Sequence, residues 1–208
     1  MRRTFLFTLL AVLVCSSVAF ADRSAVLFIE MEKEDADSKD LEELLTVGGI
    51  YSTMLASYDQ VYWLVNEDAT RDNFFETLLT AVDAWATVDL YIMAHGGMQY
   101  FWGHYDDRIY VDDILGLGSF PNMRHLRMVY VGTCHGWDLT DEFIEIGAKS
   151  AFGSDETMVN FPFFFQFLYA FAVQGDSLQE AVISGSAVTG DESFRINGDT
   201  TLHMDTDN

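Results

Sequence analysis

The sequence is poor in positive charge, in cysteine and in proline, and each shortage excludes something. Lysine and arginine together number 11 against 33 aspartates and glutamates, a formal net charge of −22. A surface so acidic repels nucleic acid and anionic membranes, which excludes a nucleic-acid-binding role. It suits basic peptides or divalent cations, and it also keeps a protein soluble. The two prolines, Pro121 and Pro162, leave no proline-rich linker, and neither low-complexity segments nor internal repeats are visible. The two cysteines are Cys15 and Cys134. Cys15 falls within a leader-like N-terminus, which leaves Cys134 without a disulfide partner. A lone thiol in an exported protein is a liability unless it is buried or used.

The first 21 residues read as a secretory signal. Arg2 and Arg3 precede the apolar run Thr4 to Val14, and Ala19-Phe20-Ala21 is a small-x-small cleavage site. The run is shorter than the ~20 residues that a stable membrane span needs. Lipid attachment at Cys15 is disfavoured by the bulky Val14 before it. The expectation is a mature chain from Asp22 that is secreted or periplasmic. Residues 22–208 would form a single domain, and half of the whole chain is hydrophobic.

That domain alternates strand and helix. Ala25 to Glu30, Val61 to Val65, Val88 to Ala94, Arg127 to Thr133 and the short Ser150 to Gly153 read as strands. A charged loop, Lys33 to Asp40, precedes a helix marked by Leu41, Leu44, Leu45, Tyr51 and Leu55. Thr70 is placed to cap a helix whose inner face is Phe74, Phe75, Leu78, Leu79, Val82 and Trp85. Tyr100-Phe101-Trp102 and Arg108 to Val111 form a hairpin, followed by a brief helix from Asp113 to Leu117. Asp141 to Ile146 and the Phe-rich Phe161 to Val173 are helical. Ser177-x-x-Glu180 is a capping box opening the last helix. Repeated strand–helix units with continuous apolar strands predict an α/β fold: a three-layer α/β/α sandwich around a mostly parallel central sheet.

Two of these strands end in residues suited to catalysis. Val88 to Ala94 runs into His95-Gly96-Gly97, and Arg127 to Thr133 runs into Cys134-His135-Gly136. Ligands of open parallel sheets bind at the C-terminal ends of strands. Neighbouring strands would therefore set an imidazole beside a thiol, the minimum for a cysteine nucleophile and its base. The Gly96 and Gly97 amides, with that of Cys134, are candidates for an oxyanion hole. Gly132 and Gly136 would let a substrate backbone approach. His135, adjacent to the cysteine, points away from it and either shapes the pocket or is structural. His104 and His203 read as surface residues. A zinc site at His95, His104, Cys134 and His135 lacks ligand spacing. Gly132-Thr133-Cys134-His135-Gly136 also matches a hydrolase nucleophile elbow, with His203 as base and Asp191 or Asp199 as acid. The interval between His95 and Cys134 holds mainly a hairpin, however, and is too small for the helix–strand–helix that fold needs.

A strand ending in His-Gly followed by one ending in a small residue plus Cys resembles the caspase–legumain–gingipain (clan CD) group of cysteine peptidases. Cys134-His135-Gly136 is similar to the Cys-His-Ser-Gly segment of metacaspases, with Gly136 in place of serine. Ser150-Ala151-Phe152-Gly153-Ser154 resembles the short strand after the nucleophile. Asn197-Gly198-Asp199-Thr200-Thr201-Leu202 resembles a Gly-Asp-Pro-Thr-Leu segment, with Thr200 in place of proline. The resemblance spans Ala25 to Met204. It implies a caspase-like sandwich, a His95–Cys134 dyad and the Gly96 amide as oxyanion donor. Asp155 and Glu156 are the positional candidates for an acidic pocket that takes a basic P1 residue, and a solvated loop is the plainer reading of both. No cofactor is implied, although calcium activation occurs in the group and the acidic loops suit it. The expected partner is a peptide or protein substrate. A caspase-fold binding or assembly module without turnover is the alternative, and an acyl hydrolase the third.

Overall fold

The chain's apolar strands are continuous because both of their faces are covered. The computed structural model describes residues 22–30, 49–156 and 160–205. Its main sheet comprises β1 (Arg23–Glu30), β2 (Gln60–Val65), β3 (Thr87–Ala94), β7 (Leu126–Gly132), β8 (Ser150–Ser154) and β9 (Phe194–Gly198). Their order is β2-β1-β3-β7-β8-β9. All pairings are parallel except that of β9, which runs antiparallel to β8. A smaller three-stranded antiparallel sheet follows β3: β4 (Gly96–Gly97), β5 (Tyr100–Trp102) and β6 (Arg108–Tyr110).

Successive side chains of a strand point to opposite faces, so β1, β3 and β7 feed two separate cores. Val26, Phe28, Leu90, Ile92, Val129 and Val131 enter one. Helices α2 (Arg71–Ala84), α3 (Val111–Gly116) and α4 (Thr140–Glu145) cover it through residues such as Phe74, Ile114 and Phe143. Ala25, Leu27, Tyr91, Met93, Met128 and Tyr130 enter the other. That face is covered by α1 (Tyr51–Ser57), α5 (Asn160–Leu168) and α6 (Leu178–Thr189). The expected three-layer α/β/α sandwich is the observed one.

Local signals are met closely. The Thr70 side chain accepts the Asn73 N–H at 3.2 Å, and Ser177 and Glu180 form the reciprocal capping box. The Phe-rich helix is α5 continued by a wider turn over Tyr169–Gln174, with Phe163, Phe164, Phe167 and Phe171 buried. Among the described residues, no helix is long and apolar enough to cross a membrane.

Residues 1–21, the loop Lys33 to Asp40 and the markers Leu41, Leu44 and Leu45 lie outside the described residues. In α1 the inward residue is Met54, whereas Leu55 is exposed. Strand β9 was not anticipated, because Phe194–Gly198 has a single buried residue, Phe194. Its conformation comes from antiparallel pairing with β8, not from an apolar pattern of its own.

The N-terminal ends of β3 and β7 carry a buried polar cluster. Arg127 makes a bidentate ion pair with Asp89, at 2.9 and 2.5 Å. Tyr58 Oη donates to Asp89 at 2.7 Å and also bonds Tyr91 Oη. Arg127 donates to the carbonyls of His203 and Met204, and Arg23 also reaches Met204. Burial lowers the proton affinity of Arg127, but Asp89 more than offsets this and holds it well above the usual guanidinium range. The cluster fixes the C-terminal segment to the edge of the sheet opposite the candidate site.

Candidate active site

Register brings the two strand ends together. In the parallel β3–β7 pair, Met93 stands opposite Gly132, and His95 and Cys134 each lie two residues further on. The segments touch there. A Cβ added to Gly96 would lie 2.8 Å from Thr133 Cβ and 3.0 Å from both Thr133 Oγ1 and the Tyr100 carbonyl oxygen. Only glycine permits this approach. Both His95 and Cys134 are half-buried, and Cys134 is a free thiol. Neither side chain makes a hydrogen bond among the described residues.

The small sheet sets the backbone beside His95. Trp102 N–H donates to the His95 carbonyl at 2.9 Å. Antiparallel strands alternate paired and unpaired backbone groups, so the register Gly96↔Phe101 turns the Gly96 N–H away from β5. Gly97 shares the phase of His95 and faces Tyr100, which makes Gly96 the better anion donor of the two.

The cysteine turn is tight. Gly136 N–H bonds Thr133 C=O at 3.0 Å, and His135 has left-handed geometry, φ 57°. A Cβ on Gly136 would lie 2.1 Å from the Val131 carbonyl oxygen, and one on Gly153 would lie 2.7 Å from the Gly136 backbone. Gly136 is therefore small because the turn folds back onto β7 and β8. It is buried, which corrects the expectation that it opens a path for substrate. His135 bonds the loop after β8 twice, through N–H to Glu156 C=O and Nδ1 to Asp155 C=O, both at 3.1 Å. That tether makes His135 a brace between the cysteine turn and the loop carrying Asp155 and Glu156.

Asp155 and Glu156 line one cleft with Asp191, Glu192 and Arg195. Arg195 lies 3.3 Å from Asp155, in an exposed pair that contributes little to stability.

His104 is not where the sequence suggested, and His203 cannot serve the alternative triad. His104 is not a surface residue: it is 8 % exposed, and its Nδ1 lies 3.1 Å from Glu30 Oε2. Glu30 closes β1 opposite Ala94, so this pair braces the small sheet beside His95. The charged end of an otherwise apolar strand was the available signal. His203 bonds Gly175 C=O through Nδ1, and its carbonyl is held by Arg127 at the start of β7, whereas Cys134 lies beyond its end. That removes the hydrolase triad built on His203. The elbow fails too, because the left-handed residue is His135 and not the nucleophile. Among the described residues, no three His, Cys, Asp or Glu side chains are grouped to hold a metal ion.

No protein-family model matches the chain, and neither does any curated protein sequence. Solved structures do. The Arg-specific cysteine proteinase gingipain R (RgpB) aligns with TM-score 0.56 and 10% identity, over 88% of this chain and 48% of its own. The complex of Porphyromonas gingivalis RgpB pro- and mature domains aligns at 0.58 and 9%, over 88% of this chain and 48% of that one. The Drosophila initiator caspase Dronc aligns at 0.58 and 9%, over 89% and 84%. The chain thus spans about half the length of the gingipain chains. It has the caspase-like fold.

Proposed function

We propose that a chain of this fold, with a thiol and an imidazole at adjoining strand ends, is an exported cysteine endopeptidase. The observation that most supports the reading is the β3–β7 register, together with the Gly96–Thr133 approach that brings the two segments together. His95 takes the thiol proton of Cys134, and Sγ bonds to the substrate carbonyl carbon while the C=O electron pair moves to oxygen. The amides of Gly96 and Cys134 hold that oxyanion. On collapse the C–N bond breaks, and His95 passes its proton to the leaving amine. Water, deprotonated by His95, then adds to the thioester. The C–S bond breaks, the thiol is regenerated and the acid departs.

This chemistry needs no cofactor. The acidic cleft of Asp155 and Glu156, tied to the cysteine turn by His135, fits a basic P1 side chain that displaces Arg195. The leader-like residues 1–21 support export.

The test is cleavage of a diverse peptide mixture by the purified chain under reducing conditions, with and without calcium, read by mass spectrometry. Cleavages lost in both Cys134→Ala and His95→Ala are expected, and they would report the P1 residue. No cleavage, with a Cys134 that resists iodoacetamide in the folded protein, would overturn the reading in favour of a binding module.

A further inference from the structure

The small sheet has one buried and one open face. Phe101 and Ile109 point into the core, where Phe101 packs edge-on against Phe28 and Phe74. Tyr100, Trp102, Arg108 and Tyr110 alternate with them on the other face. There the Arg108 guanidinium carbon lies 4.7 Å from the Tyr100 ring centre and 4.1 Å from that of Trp102. Stacking against aromatic rings engages the flat face of a guanidinium and leaves its N–H donors at the edge.

Those donors lack an ion-pair partner. In a chain with threefold more acidic than basic residues, Arg108 is half-buried yet has no carboxylate within 4.0 Å among the described residues. The two described carboxylates of its own cleft are engaged elsewhere. Asp113 bonds Arg71 through both oxygens and also accepts the Tyr110 N–H. The Arg71 hydrogen bond holds the Asp113 carboxyl below its usual range. Asp107 accepts the Arg71 N–H. The cleft that Arg108 lines is open and about 650 Å³ in volume. The face that carries Arg108 adjoins the His95–Gly97 segment, because the Tyr100 ring lies over Gly97, 3.2 Å from where a Cβ would be.

We infer that Arg108 is a specificity-determining residue that receives the carboxylate of an aspartate or glutamate in the bound peptide. The inference rests on the peptidase reading for the site itself and adds its substrate class. Tyr100 and Trp102 pack against the guanidinium from two rings set nearly perpendicular to each other, and a guanidinium can offer two parallel N–H groups to both oxygens of a carboxylate. The acidic cleft tied to the cysteine turn by His135 and the unpaired Arg108 on the small sheet next to His95 then favour substrates that carry both a basic and an acidic residue.

The test separates binding from turnover. Immobilised Cys134→Ala protein is offered two pools of short, capped random peptides. One pool contains Asp and Glu, and the other has Asn and Gln in their place. Capture of the acidic pool should exceed that of the amide pool by about tenfold, the worth of one bidentate charge-assisted pair. The preference should vanish in Cys134→Ala/Arg108→Gln. Should that variant fail to fold, Cys134→Ala/Arg108→Lys keeps the charge without the fork and should retain only part of the preference. Equal capture of both pools, or a preference that survives Arg108→Gln, would overturn the inference. Cleavage by the wild-type chain without acidic preference would likewise overturn it while leaving the peptidase reading intact. Arg108-dependent capture without cleavage of either pool would do the reverse.

Discussion

Replacing Gly96 with alanine should strain the contact between the strand ends that carry His95 and Cys134. Two effects oppose each other. Gly96 is not among the glycines with positive φ, so alanine fits its backbone and gains about 0.4–1 kcal/mol by restricting the unfolded chain. Against this, the new methyl would lie 2.8 Å from Thr133 Cβ and 3.0 Å from the Tyr100 carbonyl oxygen. Carbon pairs prefer about 3.5–4.0 Å, and neither struck atom belongs to a flexible side-chain end. Overpacking of this kind costs about 1–3 kcal/mol, so the steric term wins by roughly 1–2 kcal/mol. Thermal and urea unfolding would read it, at about 2–4 °C per kcal/mol for a chain of this size. Thr133→Gly removes the struck Cβ, so the double variant should be less destabilised than the two singles summed, by at least about 0.5 kcal/mol. Simple additivity, or a Gly96→Ala protein as stable as wild type, would refute the close approach.

Two further outcomes follow from the buried cluster at the other end of the sheet. Asp89→Ala strands the Arg127 guanidinium, which is 1 % exposed. It should cost about 3–5 kcal/mol in urea unfolding, toward the lower end because the His203 and Met204 carbonyls still accept from Arg127; a loss under about 1 kcal/mol would contradict the assigned pairing. Burial and then the Asp89 charge push the phenols of Tyr58 and Tyr91 well above their ordinary range. Unfolded tyrosines release their protons near about pH 10 while the folded ones retain theirs. Stability is thus fully present below that pH and falls as pH rises above it. Urea midpoints measured up to about pH 11 should show the decline, shallower in Tyr58→Phe; a flat profile would argue against the buried phenols.

Much of this molecule was legible before its structure. Continuous apolar strands announced a sheet covered on both faces, and Thr70 and Ser177 marked helix starts where they occur. Tyr100-Phe101-Trp102 and Arg108 to Val111, separated by Gly103 to Asp107, announced the hairpin. These signals are local: a period of two, a cap, a turn, each set by the nearest few residues. The same locality hid β9, whose partner β8 lies about forty residues back. It also hid the function of Gly136, whose constraint is a carbonyl of β7.

The sequence alone determined the sandwich, the strand ends and the presence there of one thiol and two imidazoles, because burial and periodicity are properties of single segments. Only the tertiary structure decided which segments meet. It set the ends of β3 and β7, which precede His95 and Cys134, in register, paired His104 with Glu30 in the interior, drew His203 to the far end of the sheet and laid Arg108 against two rings. Each of these depends on strand register and on packing between elements distant in the chain, and no local pattern carries that information.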